Sequence, residues 1–167
     1  MNRRVRAGKI VVLGIGNLLL KDEGAGIHVI QRLKEIGVDD RVELIDGGTS
    51  LLDFLLARED ISKLVIVDAI KLGGKPGKIY RIYFDGSLFK VGNRITSLHQ
   101  LGVMEALNLM KNMGKLPPTV LIGIEPKEIT YGLELSPEVE KGTAEMVDLI
   151  LKEVRNTGIE EAMLWEE

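Results

Sequence analysis

The chain has 167 residues and no cysteine, and 45% of its residues are hydrophobic and 28% charged. This length predicts one domain over residues 1–167 that can bury a core without cross-links, with a tail at 155–167 that frays. The lack of cysteine excludes a disulfide scaffold, a thiol nucleophile, a zinc finger and a cysteine-bound iron–sulfur cluster. The 22 basic and 25 acidic residues give a net charge of −3, which argues against nucleic acid as a partner.

The apolar segments of the chain are short. The longest runs, such as Lys63–Ile70, cannot span a bilayer, so we expect no membrane insertion. The basic start, Met1–Arg6, is followed by only a brief apolar stretch at Ile10–Leu13. We therefore expect no secretory signal and a cytoplasmic protein. Because no long exposed apolar stripe is evident, we also expect a monomer.

The first half of the chain alternates between apolar strands and amphipathic helices. Lys9–Leu13 is a continuous apolar run, which is typical of a buried parallel strand. Apolar residues then recur at helical spacing over Gly24–Glu35. The pattern next predicts a strand at Arg41–Ile45, a short helix at Leu51–Arg58 and a third buried strand at Leu64–Val67.

The second half adds two strands and two helices. Lys78–Phe84 alternates between polar and apolar residues, which predicts an exposed antiparallel edge strand. Ser97 opens a capping-box pattern for a helix that ends near Met113. A buried strand at Thr119–Ile124 and a last helix over Ser136–Val154 complete the order. The order β-α-β-α-β-β-α-β-α predicts an α/β fold, a three-layer sandwich with a mostly parallel sheet.

The candidate functional residues follow the predicted strands. In open α/β sheets, ligands bind beyond the carboxyl ends of the strands. Gly14–Gly24 follows the first strand, Asp46–Thr49 the second and Asp68 the third, while His99 lies at the start of a helix. Asp85–Arg94 is a long loop and a candidate binding segment.

The glycines of the chain do not predict a nucleotide site. Gly14 and Gly16 match the start of a dinucleotide-binding pattern, but Leu19 stands where the third glycine belongs. A phosphate-binding loop is also missing, because Gly74-Lys75 is followed by a proline.

A metal site is the stronger hypothesis at the strand ends. Glu23, Asp68 and His99 supply two carboxylates and one imidazole, which can bind a borderline divalent ion and leave coordination positions open. They can share an ion only if the strand order brings them together. Otherwise the charge of Glu23 would stabilise the N-terminus of a helix, Asp68 would cap a turn and His99 would lie at the surface.

Two further aspartates have simpler roles to consider. Asp46 precedes two glycines, so it is either a catalytic carboxylate held towards the crevice or the acceptor of an Asx-turn. Asp22 is predicted to be structural, as a cap of the helix that begins near Gly24. No serine or threonine lies in a nucleophile elbow, which argues against a serine hydrolase.

Four short motifs together carry a resemblance to a known family. They are Gly14-Ile-Gly16-Asn17 with Asp22-Glu23-Gly24, Asp46-Gly47-Gly48-Thr49, Val67-Asp68-Ala69, and Ser97-Leu-His99-Gln100-Leu101-Gly102. In this order, over roughly residues 9–154, they resemble the [NiFe]-hydrogenase maturation endopeptidases. The resemblance implies a twisted, largely parallel five-stranded sheet, with helices on both faces. It also implies a protease, classed by some as aspartyl-type, that removes a C-terminal extension from the hydrogenase large subunit after nickel insertion.

The resemblance implies specific site residues. The metal-binding positions of the family fall on Glu23, Asp68 and His99, and the family suggests a catalytic role for Asp46. Leu98 stands where members often carry proline, but no ligand is lost. Three ligands with open positions suit nickel already held by the precursor's own thiolates, so nickel would serve as a recognition element rather than a resident cofactor.

The chemistry leaves alternatives open. The ion could polarise the scissile carbonyl, or Asp46 or a carboxylate of the triad could activate water. A different class of protein, a flavodoxin-like module that binds a small molecule, would use the same crevice with Gly14–Asn17 as an anion nest. A hydrolase with its own resident metal is a third alternative.

Overall fold

Strands and helices alternate along the described residues, 8–48, 51–84 and 98–155, of this computed structural model. The strands are β1 (Lys9–Ile15), β2 (Val42–Gly48), β3 (Ile61–Ala69), β4 (Ile79–Phe84) and β5 (Thr119–Ile124). The helices are α1 (Ala25–Ile36), α2 (Leu51–Leu56), α3 (Leu98–Asn112) and α4 (Pro137–Arg155). Every predicted element is present within a few residues of its expected bounds. A 3₁₀ turn, Lys21–Gly24, precedes α1 and was not predicted.

The five strands form one sheet in the order β2-β1-β3-β5-β4. All neighbours are parallel except β4, which pairs antiparallel with β5 at one side of the sheet. The predicted mostly parallel sheet and the predicted antiparallel strand are both confirmed. From β1 the chain moves outward to β2 and then returns past β1 to β3, so the direction of the strand order reverses between β1 and β3. The carboxyl ends of these two strands therefore flank the crevice where such sheets bind ligands.

Helices cover both faces of the sheet, which confirms the three-layer sandwich. Because alternate side chains of a strand point to opposite faces, each strand contributes to two separate cores. On one face, Val65 of β3 belongs to the core that α1 and α4 cover. On the other face, Ile66 belongs to the core covered by α2 and α3.

The start of α1 lies directly against the ends of β1 and β3. A Cβ at Gly26 would overlap the carbonyl oxygens of Ile15 and Val67. Gly16 has φ +142°, and a Cβ there would overlap the carbonyl oxygen of Glu23. These glycines permit close backbone packing, and this packing holds the 3₁₀ turn over the carboxyl ends of the two strands.

The helix α4 has an apolar side and a charged side. It begins at Pro137, and the Ser136 carbonyl accepts the Glu140 N–H at 2.8 Å, as expected for a first-turn proline. Its buried side includes Met146 and Ile150, which pack on the α1 side of the sheet. Among the described residues, no helix is both long enough and apolar enough to cross a membrane. The predicted binding loop Asp85–Arg94 and the tail after residue 155 lie outside the described residues.

Candidate functional site

Asp68 lies near the carboxyl end of β3 and is only 5% exposed. Its position alternates with Val67, so it belongs to the face that α2 and α3 cover. One carboxylate oxygen accepts the Ala69 N–H at 2.8 Å. Burial raises the pKa of Asp68 well above its usual range, the negative charge of Glu23 raises it further, and the Ala69 hydrogen bond opposes both effects.

Glu23 is half-buried in the 3₁₀ turn, and a closed loop fixes its backbone. The Glu23 carbonyl accepts the Asn17 N–H at 3.1 Å, and its own N–H donates to the Leu20 carbonyl at 3.1 Å. Within the same loop, the Asn17 side chain accepts the Leu19 N–H at 2.9 Å. The main chain is therefore held at both ends of the loop.

The structure places Glu23 and Asp68 at the same edge of the sheet, while the shared metal site stays a prediction. They lie near enough for the charge of Glu23 to raise the pKa of Asp68. In the described part of the chain, neither carboxylate forms an ion pair with a basic side chain. Two close carboxylates without a basic partner repel each other, and a shared cation would remove that repulsion.

His99 is the second residue of α3, and its side chain lies outside the described residues. The chain enters β5 after α3, and β5 is parallel to β3, so α3 begins at the carboxyl edge of the sheet. Consistent with this direction, Lys115 after α3 contacts Glu59, which precedes β3 at the amino edge, at 3.3 Å. The described side chains contain no group of three possible metal ligands.

Asp46 lies near the carboxyl end of β2 with an exposed side chain. It is opposite Gly14 of β1 in the sheet register, and Gly14 is in turn opposite Val67 of β3. Two strand spacings, about 10 Å, therefore separate the backbones of Asp46 and β3. Alternation from Leu44, which packs with the α1 core, places Asp46 on the face opposite to that of Asp68. The two aspartates share an edge of the sheet but not a face.

Asp22 is fully buried, and the prediction that it caps α1 is wrong. One oxygen accepts the Ser136 N–H at 2.8 Å. The other accepts the N–H groups of Lys127 and Glu128 at 2.9 and 2.8 Å and the Ser136 hydroxyl at 2.8 Å. Asp22 directly precedes Glu23, and its hydrogen bonds connect this part of the chain to the segment 127–136, which precedes α4. These partners are more than 100 residues away in sequence, so no local pattern could reveal them.

Residues 19–22 and 128–132 also pair through their backbones. The Gly132 N–H donates to the Leu19 carbonyl, and the Lys21 N–H donates to the Gly132 carbonyl, both at 2.9 Å. Lys21 has φ +44°, an uncommon conformation for lysine, and its amine pairs with a Glu128 carboxylate oxygen at 2.6 Å. These contacts fix the segment that leads into Glu23.

The fold and the site define an α/β protein with a pair of carboxylates over the point where the strand order reverses. A profile of the HycI family, hydrogenase maturation proteases, matches residues 27–153. The chain belongs to the hydrogenase maturation protease family, and it processes the C-terminus of a hydrogenase large subunit. The predicted endopeptidase is confirmed, and this membership argues against the flavodoxin-like binding module.

Several characterised proteins are similar over nearly the whole chain. The hydrogenase 2 maturation protease of Escherichia coli is 30% identical over 154 residues, covering 91% of this chain and 94% of that protein. HupD, a hydrogenase expression/formation protein of Bradyrhizobium diazoefficiens, is 33% identical over 154 residues, and the match covers 90% of this chain and 80% of that protein. The structure of the maturating endopeptidase HybD from E. coli superposes with a TM-score of 0.79 at 30% identity, covering 90% and 94%. The structure of the [NiFe] hydrogenase maturation protease HybD from Thermococcus kodakarensis superposes with a TM-score of 0.73 at 31% identity, and the match covers 86% of this chain and 97% of that protein.

Proposed function

We propose that Glu23, Asp68 and His99 bind a nickel ion that the large-subunit precursor carries, and that the protein acts on this precursor as a cytoplasmic monomer. The observation that carries the proposal is the proximity of Glu23 and Asp68, without a basic partner in the described residues, where the strand order reverses. His99 supplies the third ligand, because α3 begins at the same edge and covers the face to which Asp68 belongs.

The electrostatics of the pair favour a cation that arrives with the substrate. Asp68 is buried with a raised pKa, so its ionised form is unfavourable until a positive charge is near. A divalent ion stabilises both carboxylates at once. Two oxygens and one nitrogen leave coordination positions open, which suits an ion that already holds ligands from the precursor. A precursor without nickel lacks this anchor and is spared.

Peptide hydrolysis also needs an activated water and a polarised carbonyl. The nickel ion, bound next to the scissile bond, can polarise the carbonyl. We propose Asp46 as the general base or charged partner, because it is exposed at the carboxyl end of the strand next to β1. Asp46 and Asp68 belong to different faces, and β1 lies between their strands, so a substrate that uses both must cross the end of β1. Water activation by Glu23 or Asp68 is the alternative that substitution of Asp46 tests.

The test compares nickel-loaded and nickel-free precursor under identical conditions. The purified protein should shorten only the nickel-loaded form, which gel electrophoresis and mass spectrometry detect. Glu23→Gln removes one ligand charge with little change of shape and should abolish this cleavage. Cleavage of the nickel-free form at an equal rate would contradict the proposal. Stoichiometric metal in the purified protein, with cleavage of generic peptides, would instead indicate a hydrolase with a resident metal.

A further inference from the structure

The surface next to the carboxylate pair exposes three large apolar side chains. Leu19, Tyr131 and Leu133 are 59%, 88% and 66% exposed. Gly132, between Tyr131 and Leu133, exchanges backbone hydrogen bonds with Leu19 and Lys21, so the three side chains belong to one continuous surface. We call it the 19/131/133 surface. Exposed apolar residues grouped in this way typically mark a contact with another molecule.

A cavity of about 370 Å³ adjoins this surface. Leu133 and Leu135 supply apolar walls, and Lys21 and Glu134 supply charge. The pKa of Lys21 is raised, chiefly by the hydrogen bond to Glu128, and Glu134 contributes to this increase. Lys21 is paired with Glu128, whereas Glu134 forms no ion pair with a described residue. The cavity therefore offers apolar walls and one unpaired negative charge.

The cavity is connected to the candidate metal site through Asp22. Ser136 lines the cavity and donates two hydrogen bonds, from N–H and hydroxyl, to the buried Asp22 carboxylate. Asp22 directly precedes Glu23, and the backbone pairing of Lys21 with Gly132 reinforces the link. A chain segment bound in this cavity would therefore lie close to the loop that carries Glu23.

We propose that the cavity and the 19/131/133 surface bind an apolar segment of the large-subunit precursor that carries a cationic side chain, which pairs with Glu134. The proposal rests on the placement of the catalytic centre at Glu23 and Asp68. Leu19 lies four residues before Glu23, and Ser136 of the cavity is hydrogen-bonded to Asp22, which directly precedes Glu23, so a precursor bound at Glu23 would reach this surface while its C-terminal segment is cleaved. Docking here would add affinity for the precursor without taking part in the chemistry.

The experiment measures steady-state processing of nickel-loaded precursor by the double variant Tyr131→Ser/Leu133→Ser. We expect KM to rise at least about tenfold while kcat stays within about twofold, because contacts that do not touch the reacting bond contribute equally to binding of the ground state and the transition state. The matched control is Leu109→Ser/Met113→Ser at the carboxyl end of α3 and just beyond it, where the side chains are 42% and 48% exposed, and it should behave as the unmodified protein. All four positions are exposed, so the unfolding temperatures of both variants should stay close to the original.

A second measurement compares the KM of two variants that change the charge of Glu134. Glu134→Lys should raise KM more than Glu134→Gln, and added salt should reduce the difference. An unchanged KM in the Tyr131/Leu133 variant, or a loss confined to kcat, overturns the proposal. A dimer of the unmodified protein that this variant dissociates in sedimentation also overturns it, because a second copy would then cover the surface. If the unmodified protein cleaves nickel-free precursor equally well, the nickel proposal fails, while the KM comparison still tests the docking surface.

Discussion

Replacement of Asp22 by asparagine should destabilise the protein more than a surface substitution would. Asn keeps the shape of Asp but has one acceptor oxygen, whereas Asp22 uses one oxygen for three donors and the other for the Ser136 N–H. If the Asn oxygen faces the three donors, the NH₂ group of its side chain faces the Ser136 N–H. The buried Ser136 N–H then has no acceptor, at a cost of about 1–3 kcal/mol.

The remaining three hydrogen bonds also become weaker in Asp22→Asn. A bond to a charged group contributes roughly 1.5–3 kcal/mol and a neutral one roughly 0.5–1.5, so each loses about 1 kcal/mol. The lower cost of burying a neutral amide offsets part of the loss. We expect a net decrease of about 3 kcal/mol in the free energy of unfolding. For a domain of this size, that corresponds to a Tm lower by about 6–12 °C.

The assay is thermal unfolding followed by circular dichroism, with Ser136→Ala as the matched control. This control removes only the hydroxyl donor, and Asp22 keeps its other three donors, so its Tm should decrease by about 3–6 °C, in line with the loss of about 1.5 kcal/mol. If Asp22→Asn melts at the temperature of the unmodified protein, or no lower than Ser136→Ala, then the four hydrogen bonds do not stabilise the fold as argued.

Three further predictions concern the candidate site. The folded protein holds the Asp68 proton more tightly than the unfolded chain, whose pKa is near 3.8, so stability of the metal-free protein should fall as pH rises from about 4 through the raised pKa. Asp68→Asn should therefore raise the Tm at about pH 8 but not at about pH 3.5, and equal shifts at both pH values would refute the assignment. His99→Ala should abolish nickel-dependent cleavage with an unchanged circular dichroism spectrum, whereas an unfolded variant would make His99 structural. Asp46→Asn should slow cleavage by at least about 10² with little change in Tm; a normal rate would identify Asp46 as a turn residue and direct the search for the base to Glu23 or Asp68.

Much of the fold follows from local sequence patterns. Continuous apolar runs identify β1, β3 and β5 because both faces of these strands are covered, and the alternation in β4 reflects its place at the side of the sheet. Those strands also locate Glu23 and Asp68, since the ends of parallel strands meet at one edge. The position of the strands does not identify the metal or the reaction. Nickel and peptide-bond cleavage were inferred from the resemblance to a family.

Other features depend on contacts that no local pattern encodes. The role of Asp22 was missed because its partners follow β5 and precede α4. The face of Asp46 depends on Leu44 packing with the α1 core and Ile45 with the opposite core, and two adjacent apolar residues do not specify by themselves which of them faces which core. The 3₁₀ turn forms where backbone pairing with Gly132 holds Lys21 in a rare conformation, and propensity alone would not favour it.

The hydrogen bonds of Asp22 also bear on when the protein can become active during its synthesis. Asp22 leaves the ribosome long before Lys127, which follows it by 105 residues, and before Ser136, which follows it by 114. Until those donors emerge, its carboxylate cannot be buried without an unpaired charge, which is strongly unfavourable. The segment that carries Glu23 therefore takes its final position late, only after Ser136 has been made. A truncated protein that ends before residue 136 lacks these donors, so we expect its Glu23 segment to be unordered.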